Sequence, residues 1–244
     1  MKKIIIAASF FVVMAFSGCE SAQQVLNSLP NSSTGNGGLT TQQIAAGLKE
    51  ALTVGTQNST TQLSAVDGFF KDAAIKILMP PEAQKVVSTL QSVGFGSVVD
   101  KAVLSMNRAA ESAAKSATPI FVNAIKQMTI TDAIGILKGG NQSATNYFKN
   151  KTTKALTTAF SPVVNNALKS TDATKYWNDV FTVYNQFSTN KINTDLTAYV
   201  TGKAIDGIFY QVGLEEQKIR KNPAARVTDL LKKVFGSSLA NSGS

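Results

Sequence analysis

From Leu39 to Phe235 the chain is expected to be all-α, and three features of the sequence point that way. Apolar residues recur three and four apart rather than alternating. Residues that start and stop helices fall between those runs at roughly helix-length intervals. No series of β-branched segments joined by hairpin turns is present. The expected architecture is a single multi-helix bundle of about nine helices behind a flexible N-terminal tether.

The first helix places Ile44, Leu48 and Leu52 four apart behind Thr40, its expected N-cap. Asp67-Gly68 reads as a turn, with Phe69-Phe70 beside it as an apolar plug over the core, the commoner case, or an exposed docking patch. Ile75-Lys76-Ile77-Leu78 reads as a short extended piece ahead of Pro80. Pro80-Pro81-Glu82 opens a second helix with Val86, Val87 and Leu90 inward and Gly94 as its stop. The third spans about Ser97 to Lys115 and buries Val99, Val103, Met106 and Ala110.

Thr118-Pro119 starts the fourth helix, carrying Phe121, Ala124, Ile125 and Met128. A short fifth follows Thr131 and ends at Gly139. Asn141 opens a longer sixth with Tyr147, Phe148, Leu156 and Phe160, which Pro162 should kink or restart. The seventh runs from Asp172 to Phe187 around Trp177, Phe181 and Tyr184, with Tyr176-Trp177 read as core. The eighth runs from Thr194 to Arg220, and the ninth from Pro223 to Phe235 with Gly236 behind it.

Ahead of the domain, Lys2-Lys3, an apolar run from Ile4 to Phe16 and Ser17-Gly18 have the layout of a secretory leader. A permanent spanning helix needs about 20 apolar residues, more than this run offers. Phe16-Ser17-Gly18-Cys19 resembles the bacterial lipobox, with Phe16 where Leu is usual. Cys19 is therefore the expected lipidation site, and as the only cysteine it leaves no disulfide to form. From Glu20 to Gly38 the chain is rich in Ser, Asn, Gln and Gly, too polar to bury a core. A flexible segment of that length reaches roughly 25 Å. The expected organisation is a leader over 1–18, a tether over 19–38, the helical domain over 39–236 and a disordered tail over 237–244.

Composition excludes several chemistries. The sequence has no histidine, which removes Ser-His-Asp and Cys-His catalysis, His-Cys zinc sites and ferritin-like di-iron centres. No glycine-rich phosphate loop follows a strand, and Gly139-Gly140 reads as a helix stop. No cofactor and no enzymatic activity are expected. Loss of Lys2 and Lys3 with the leader lowers the net charge from +9 to +7. The basic residues concentrate at Lys149, Lys151 and Lys154 and from Lys218 to Lys233. In an exported protein that charge points to anionic lipid or to an ordinary solvated surface, not to nucleic acid.

Asp67-Gly68-Phe69-Phe70, Met79-Pro80-Pro81-Glu82, Asn107-Arg108-Ala109-Ala110-Glu111, Lys175-Tyr176-Trp177-Asn178 and Lys218-Ile219-Arg220-Lys221-Asn222-Pro223 occur in that order. With these motifs the chain resembles, over about Thr40 to Gly236, the bacterial family catalogued as domain of unknown function 4197. The resemblance implies a helical domain in exported proteins. It carries over no activity and no catalytic residue.

Polar residues on apolar stripes supply the candidate site. On a helical wheel centred on Ile208, the residues Ala204, Ile205, Val212 and Ile219 lie within about 60°, and Glu215 at about −20°. Glu216 lies at the edge of the stripe. Asn107 and Glu111 flank the stripe of the third helix, with Arg108 three residues before Glu111. A buried ion-pair network of Arg108, Glu111, Glu215, Arg220 and Arg226 is the expectation, either structural or lining a ligand pocket. The functional expectation is a lipid-anchored lipoprotein of the bacterial envelope, on the periplasmic face or outer membrane. Its non-enzymatic helical domain would bind or scaffold anionic lipid or envelope proteins. The alternative is a carrier of a lipid or other apolar anion, which needs a cavity of at least about 300 Å³.

Overall fold

A computed structural model describes residues 39–94, 96–171, 173–187 and 195–237, with the single positions 189, 191 and 240. The leader, Cys19, the tether, Asp172 and Thr194 lie outside the described residues, as do the side chains of Tyr176 and Tyr184 and most of the tail. Nine α-helices and no strand are present among the described residues. They are α1 (Thr41–Ser64), α2 (Gln84–Ser92), α3 (Gly96–Ala114), α4 (Ala117–Gln127), α5 (Ile130–Lys138), α6 (Ser143–Lys169), α7 (Ala173–Phe187), α8 (Leu196–Lys221) and α9 (Asp229–Phe235). Single 3₁₀ turns at Pro81–Ala83 and Pro223–Ala225 precede α2 and α9.

The centre of the bundle is α8, which packs against α1, α3 and α6. It runs antiparallel to α1: Gln211 bonds to Gln62, Glu215 to Asn58, and Ile219 lies against Gly55. Its stripe residues Ala204, Ile205, Ile208, Val212 and Ile219 are all buried. Burying each large aliphatic side chain contributes about 1.5–3 kcal/mol, so this face dominates the stability of the helix. Edge-on ring contacts join three helices, with Phe121 of α4 lying 5.2 Å from Phe148 of α6 and 6.2 Å from Phe209 of α8. The α8 backbone approaches the turn after α1 so closely that a Cβ on Gly207 would lie 2.5 Å from the Phe69 ring. Phe69 is fully buried, as the plug reading expected.

Several helix ends differ from the sequence reading for local reasons. The fifth helix begins at Thr129 rather than Thr131: the Thr129 hydroxyl accepts the Asp132 N–H, and the Asp132 carboxylate accepts the Thr129 N–H. That reciprocal pair satisfies two helix-end donors, which Thr131 has no acidic partner to do. Asp195 caps α8 by accepting the Ala198 N–H at 2.8 Å. The expected ninth helix splits in two: Asn222 caps the 3₁₀ turn at Pro223, and Thr228 caps α9. Pro162 neither stops nor restarts α6, which runs through it. Both Pro162 and Thr158, whose carbonyl the proline leaves without its helical N–H, are exposed. Water can serve that carbonyl, so the interruption costs less here than in a buried helix. The piece from Ile75 to Leu78 forms no strand.

Two glycines on α8 separate helix propensity from packing. Gly202→Ala, with nothing within 4 Å of its Cβ position, should raise stability by about 0.5–1 kcal/mol. Gly207→Ala should lower it by about 1–3 kcal/mol, because the buried Phe69 ring has nowhere to go. Thermal melts of the two variants, moving in opposite directions, check this.

Candidate functional site

The expected five-residue network resolves into two separate clusters. In the first, Arg108 lies between two carboxylates, donating to Glu111 Oε2 and Asp67 Oδ1 at 2.7 Å each. The other Glu111 oxygen accepts the backbone N–H groups of Phe69 and Phe70, at 3.1 and 3.2 Å. Glu111 is thereby buried with a full set of partners, as an ionised carboxylate in a core must be. Asp67 holds a left-handed backbone (φ 70°), and Gly68 after it is pressed against the Gln62 carbonyl, which leaves no space for a Cβ. That tight turn brings the Phe69 and Phe70 N–H groups to the Glu111 carboxylate.

One turn earlier on α3, Asn107 works in the same way. Its Oδ1 accepts the Ile77 N–H at 2.9 Å, and its Nδ2 donates to the Ile77 carbonyl at 2.8 Å. The side-chain amide thus does for Ile77 what a neighbouring strand would do. These two bonds hold the irregular segment at Ile77 against α3.

The second cluster joins α5, α6 and α8, and its centre is Glu216. The carboxylate accepts the N–H groups of Ala144 and Thr145 at 3.1 and 3.0 Å, and the Thr145 hydroxyl at 2.8 Å. Gln142, which precedes α6, makes no side-chain cap, so Glu216 caps that helix from another element. Arg220 pairs with Glu216 at 2.9 Å and donates to the Ile136 and Leu137 carbonyls at the end of α5. Ser143 links the two ends, donating to Ile136 O at 2.8 Å while accepting from Arg220 at 2.7 Å.

Glu215 does not join Glu111, and no arginine reaches it. It meets Asn58 and Lys218, both at 3.2 Å and both on the exposed side of the α1–α8 seam. The wheel angle correctly placed it near the core: Glu215 is buried in the seam, with partners on the exposed side. Arg226 also stays apart, donating to the Ile219 and Arg220 carbonyls at the end of α8. Arg108 and Glu111 are therefore joined as expected, while Arg220 takes Glu216 as its partner. Two residues went unrecognised as network members: Asp67, and Glu216, which the wheel put at an edge. The signal for Glu216 was present in its position four residues before Arg220, the favourable order for a helical ion pair.

The void between α1, α6, α8 and α9, lined by Leu48, Leu52, Phe148 and Phe235 and bordered by Glu216 and Arg220, is about 20 Å³. An open surface groove of about 530 Å³ lies between the 74–79 segment and Tyr199, Lys203 and Asp206 of α8. The Tyr199 hydroxyl donates to the Leu78 carbonyl across it at 2.8 Å, and burial raises the phenol above its ordinary pKa. Among the described residues no group of three acidic, histidine or cysteine side chains could hold a metal ion.

Charge and exposure make Asp67 the titration probe of the first cluster. Lys71 and then Arg108 hold its carboxyl below the ordinary aspartate range. A group lowered on folding contributes stability above its unfolded-state pKa and loses it as pH falls through the lowered value. An NMR titration should therefore find the Asp67 midpoint low, and Lys71→Ala should move it up. For the second cluster, Glu216→Leu should cost about 3–5 kcal/mol in denaturant melts, because it orphans the buried Arg220. Glu215→Leu should cost under about 1 kcal/mol, since its partners are exposed.

No curated protein and no solved structure matches the chain. The family described as protein of unknown function (DUF4197) matches residues 38–236, the whole of the helical domain, and the chain belongs to that family.

Proposed function

We propose that the protein is a lipid-anchored envelope lipoprotein whose helical domain works as a non-enzymatic binding or scaffolding module. The observation that supports the module reading is the small void beside the second cluster. At about 20 Å³ it is water-sized, whereas a carrier of acyl chains needs about 300 Å³ or more. Of the candidate groups, Glu111, Arg220 and Arg226 hold backbone turns or helix ends, Arg108 bridges Glu111 and Asp67, and Glu215 is paired with Asn58 and Lys218. What is left for recognition is the surface. The anchor reading rests on the leader and on the lipobox-like stretch ending at Cys19. Among the described residues no single helix is long and apolar enough to cross a membrane.

Native mass spectrometry with lipid extraction, on protein purified from its own host, tests the module against the carrier. The expected spectrum is a clean protein mass, and a stoichiometric apolar acid or lipid in the fold would reverse the choice. Labelling cells with radioactive palmitate tests the anchor: the wild-type chain should take up label and Cys19→Ser should not. An unlabelled wild-type chain would remove the lipoprotein reading.

A further inference from the structure

Chain topology brings one end of the domain together with most of its charge. Along the antiparallel seam, moving toward the N-terminus of α1 means moving toward the C-terminus of α8, from Gln62 beside Gln211 to Gly55 beside Ile219. Further on, Gly47 lies against Leu230 and Val234 of α9. The chain therefore enters the domain at Thr41 on the end where α8 finishes and α9 packs.

That end is basic. From Lys218 to Lys233 the sequence carries six Lys or Arg residues and one acidic residue, Asp229; Lys218 and Arg220 are paired with Glu215 and Glu216, which leaves Lys221, Arg226, Lys232 and Lys233 to set the charge of this end. Lys221, Lys232 and Lys233 are exposed. Lys232 pairs with Asp229, but that carboxylate is 90% exposed, so the pair is a screened surface contact. Arg226 is fixed in place by the carbonyls at the end of α8. Beside it, Val227 projects with 64% of its surface in water. An exposed apolar residue among fixed and mobile cations suits the boundary between headgroups and acyl chains.

We propose that this face, centred on Lys221, Val227, Lys232 and Lys233, docks on anionic phospholipid headgroups of the bilayer that carries the anchor. The inference rests on the anchored-lipoprotein reading. The chain enters the domain at Thr41, so the sequence-expected anchor at Cys19 lies 22 residues (41 − 19) ahead of this end. Charge attraction at such a surface acts only within a Debye length, about 8 Å at physiological salt, so the face nearest the tether root is the one that gains from it. Docking there turns the opposite end, with the groove between the 74–79 segment and Tyr199, away from the membrane and toward other envelope components.

Co-sedimentation with vesicles tests this on the exported chain from Glu20 onward, made without lipid. It should bind vesicles of equal parts phosphatidylglycerol and phosphatidylcholine, not phosphatidylcholine alone, and lose binding by about 0.5 M salt. At about 1 kcal/mol per cation, Lys221→Glu with Lys232→Glu and Lys233→Glu should weaken binding at least about 100-fold. The corresponding Gln variants should weaken it less, in the same direction. Lys85→Glu with Lys101→Glu and Lys169→Glu makes the same charge change on exposed residues of α2, α3 and α6, and should leave affinity within about threefold. Equal loss in both triple variants would mean that net charge alone drives binding, and would overturn the assignment of a face. So would the absence of binding to anionic vesicles. Palmitate labelling of Cys19 is read separately, so a failed anchor and a failed docking face give different results.

Discussion

A carboxylate removed from water must have all its partners supplied by the protein, and Glu216 shows how much structure that requirement can organise. Its side chain is 5% exposed, and its oxygens are taken by the first N–H groups of α6, the Thr145 hydroxyl and Arg220. Arg220 in turn holds the last carbonyls of α5. Each helix end brings unpaired donors or acceptors that would otherwise need water. The Glu216–Arg220 pair supplies both kinds from one face of α8, so the α5–α6 corner can be buried against the central helix. Without it, two helix termini and a charge would all be left unsatisfied in the interior.

A second use of the same principle holds the chain between α1 and α2. That stretch has turns and an irregular piece but no strand. Glu111 accepts two successive N–H groups at Phe69 and Phe70, and Asn107 pairs with both polar groups of Ile77. Two residues four apart on one face of α3 thus do the work of a neighbouring strand. Phe69 can then bury its ring against Gly207, while Phe70 lies under Lys76, 4.0 Å from its ammonium. The motifs that suggested the family, around Asp67, Asn107–Glu111 and Lys218–Pro223, fall on these two clusters and on the end of α8. At these clusters the named side chains hold a tight turn, an irregular segment and two helix ends.

The functions proposed above stand on the surface of the domain. The two ends of α8 differ in character. One carries a basic strip with an exposed valine, and the other borders an open groove built on the irregular 74–79 segment.

Local chemistry was enough for the helices themselves. Spacing of Ile44, Leu48 and Leu52, or of Ala204, Ile208 and Val212, fixes a buried face because side-chain direction in a helix follows from position alone. Proline and glycine likewise marked most ends, and errors arose where two capping residues competed, as at Thr129 and Thr131. The i,i+3 pair of Arg108 and Glu111 was readable for the same reason. Tertiary structure decided which carboxylate meets which arginine. Glu215 and Glu216 differ by 100° on α8, and only the placement of α1 and α6 determines that one faces Asn58 and the other a helix N-terminus. The same packing brings Lys221 and Lys233 to the end where the chain enters at Thr41, a proximity between residues far apart in sequence that no helical period encodes.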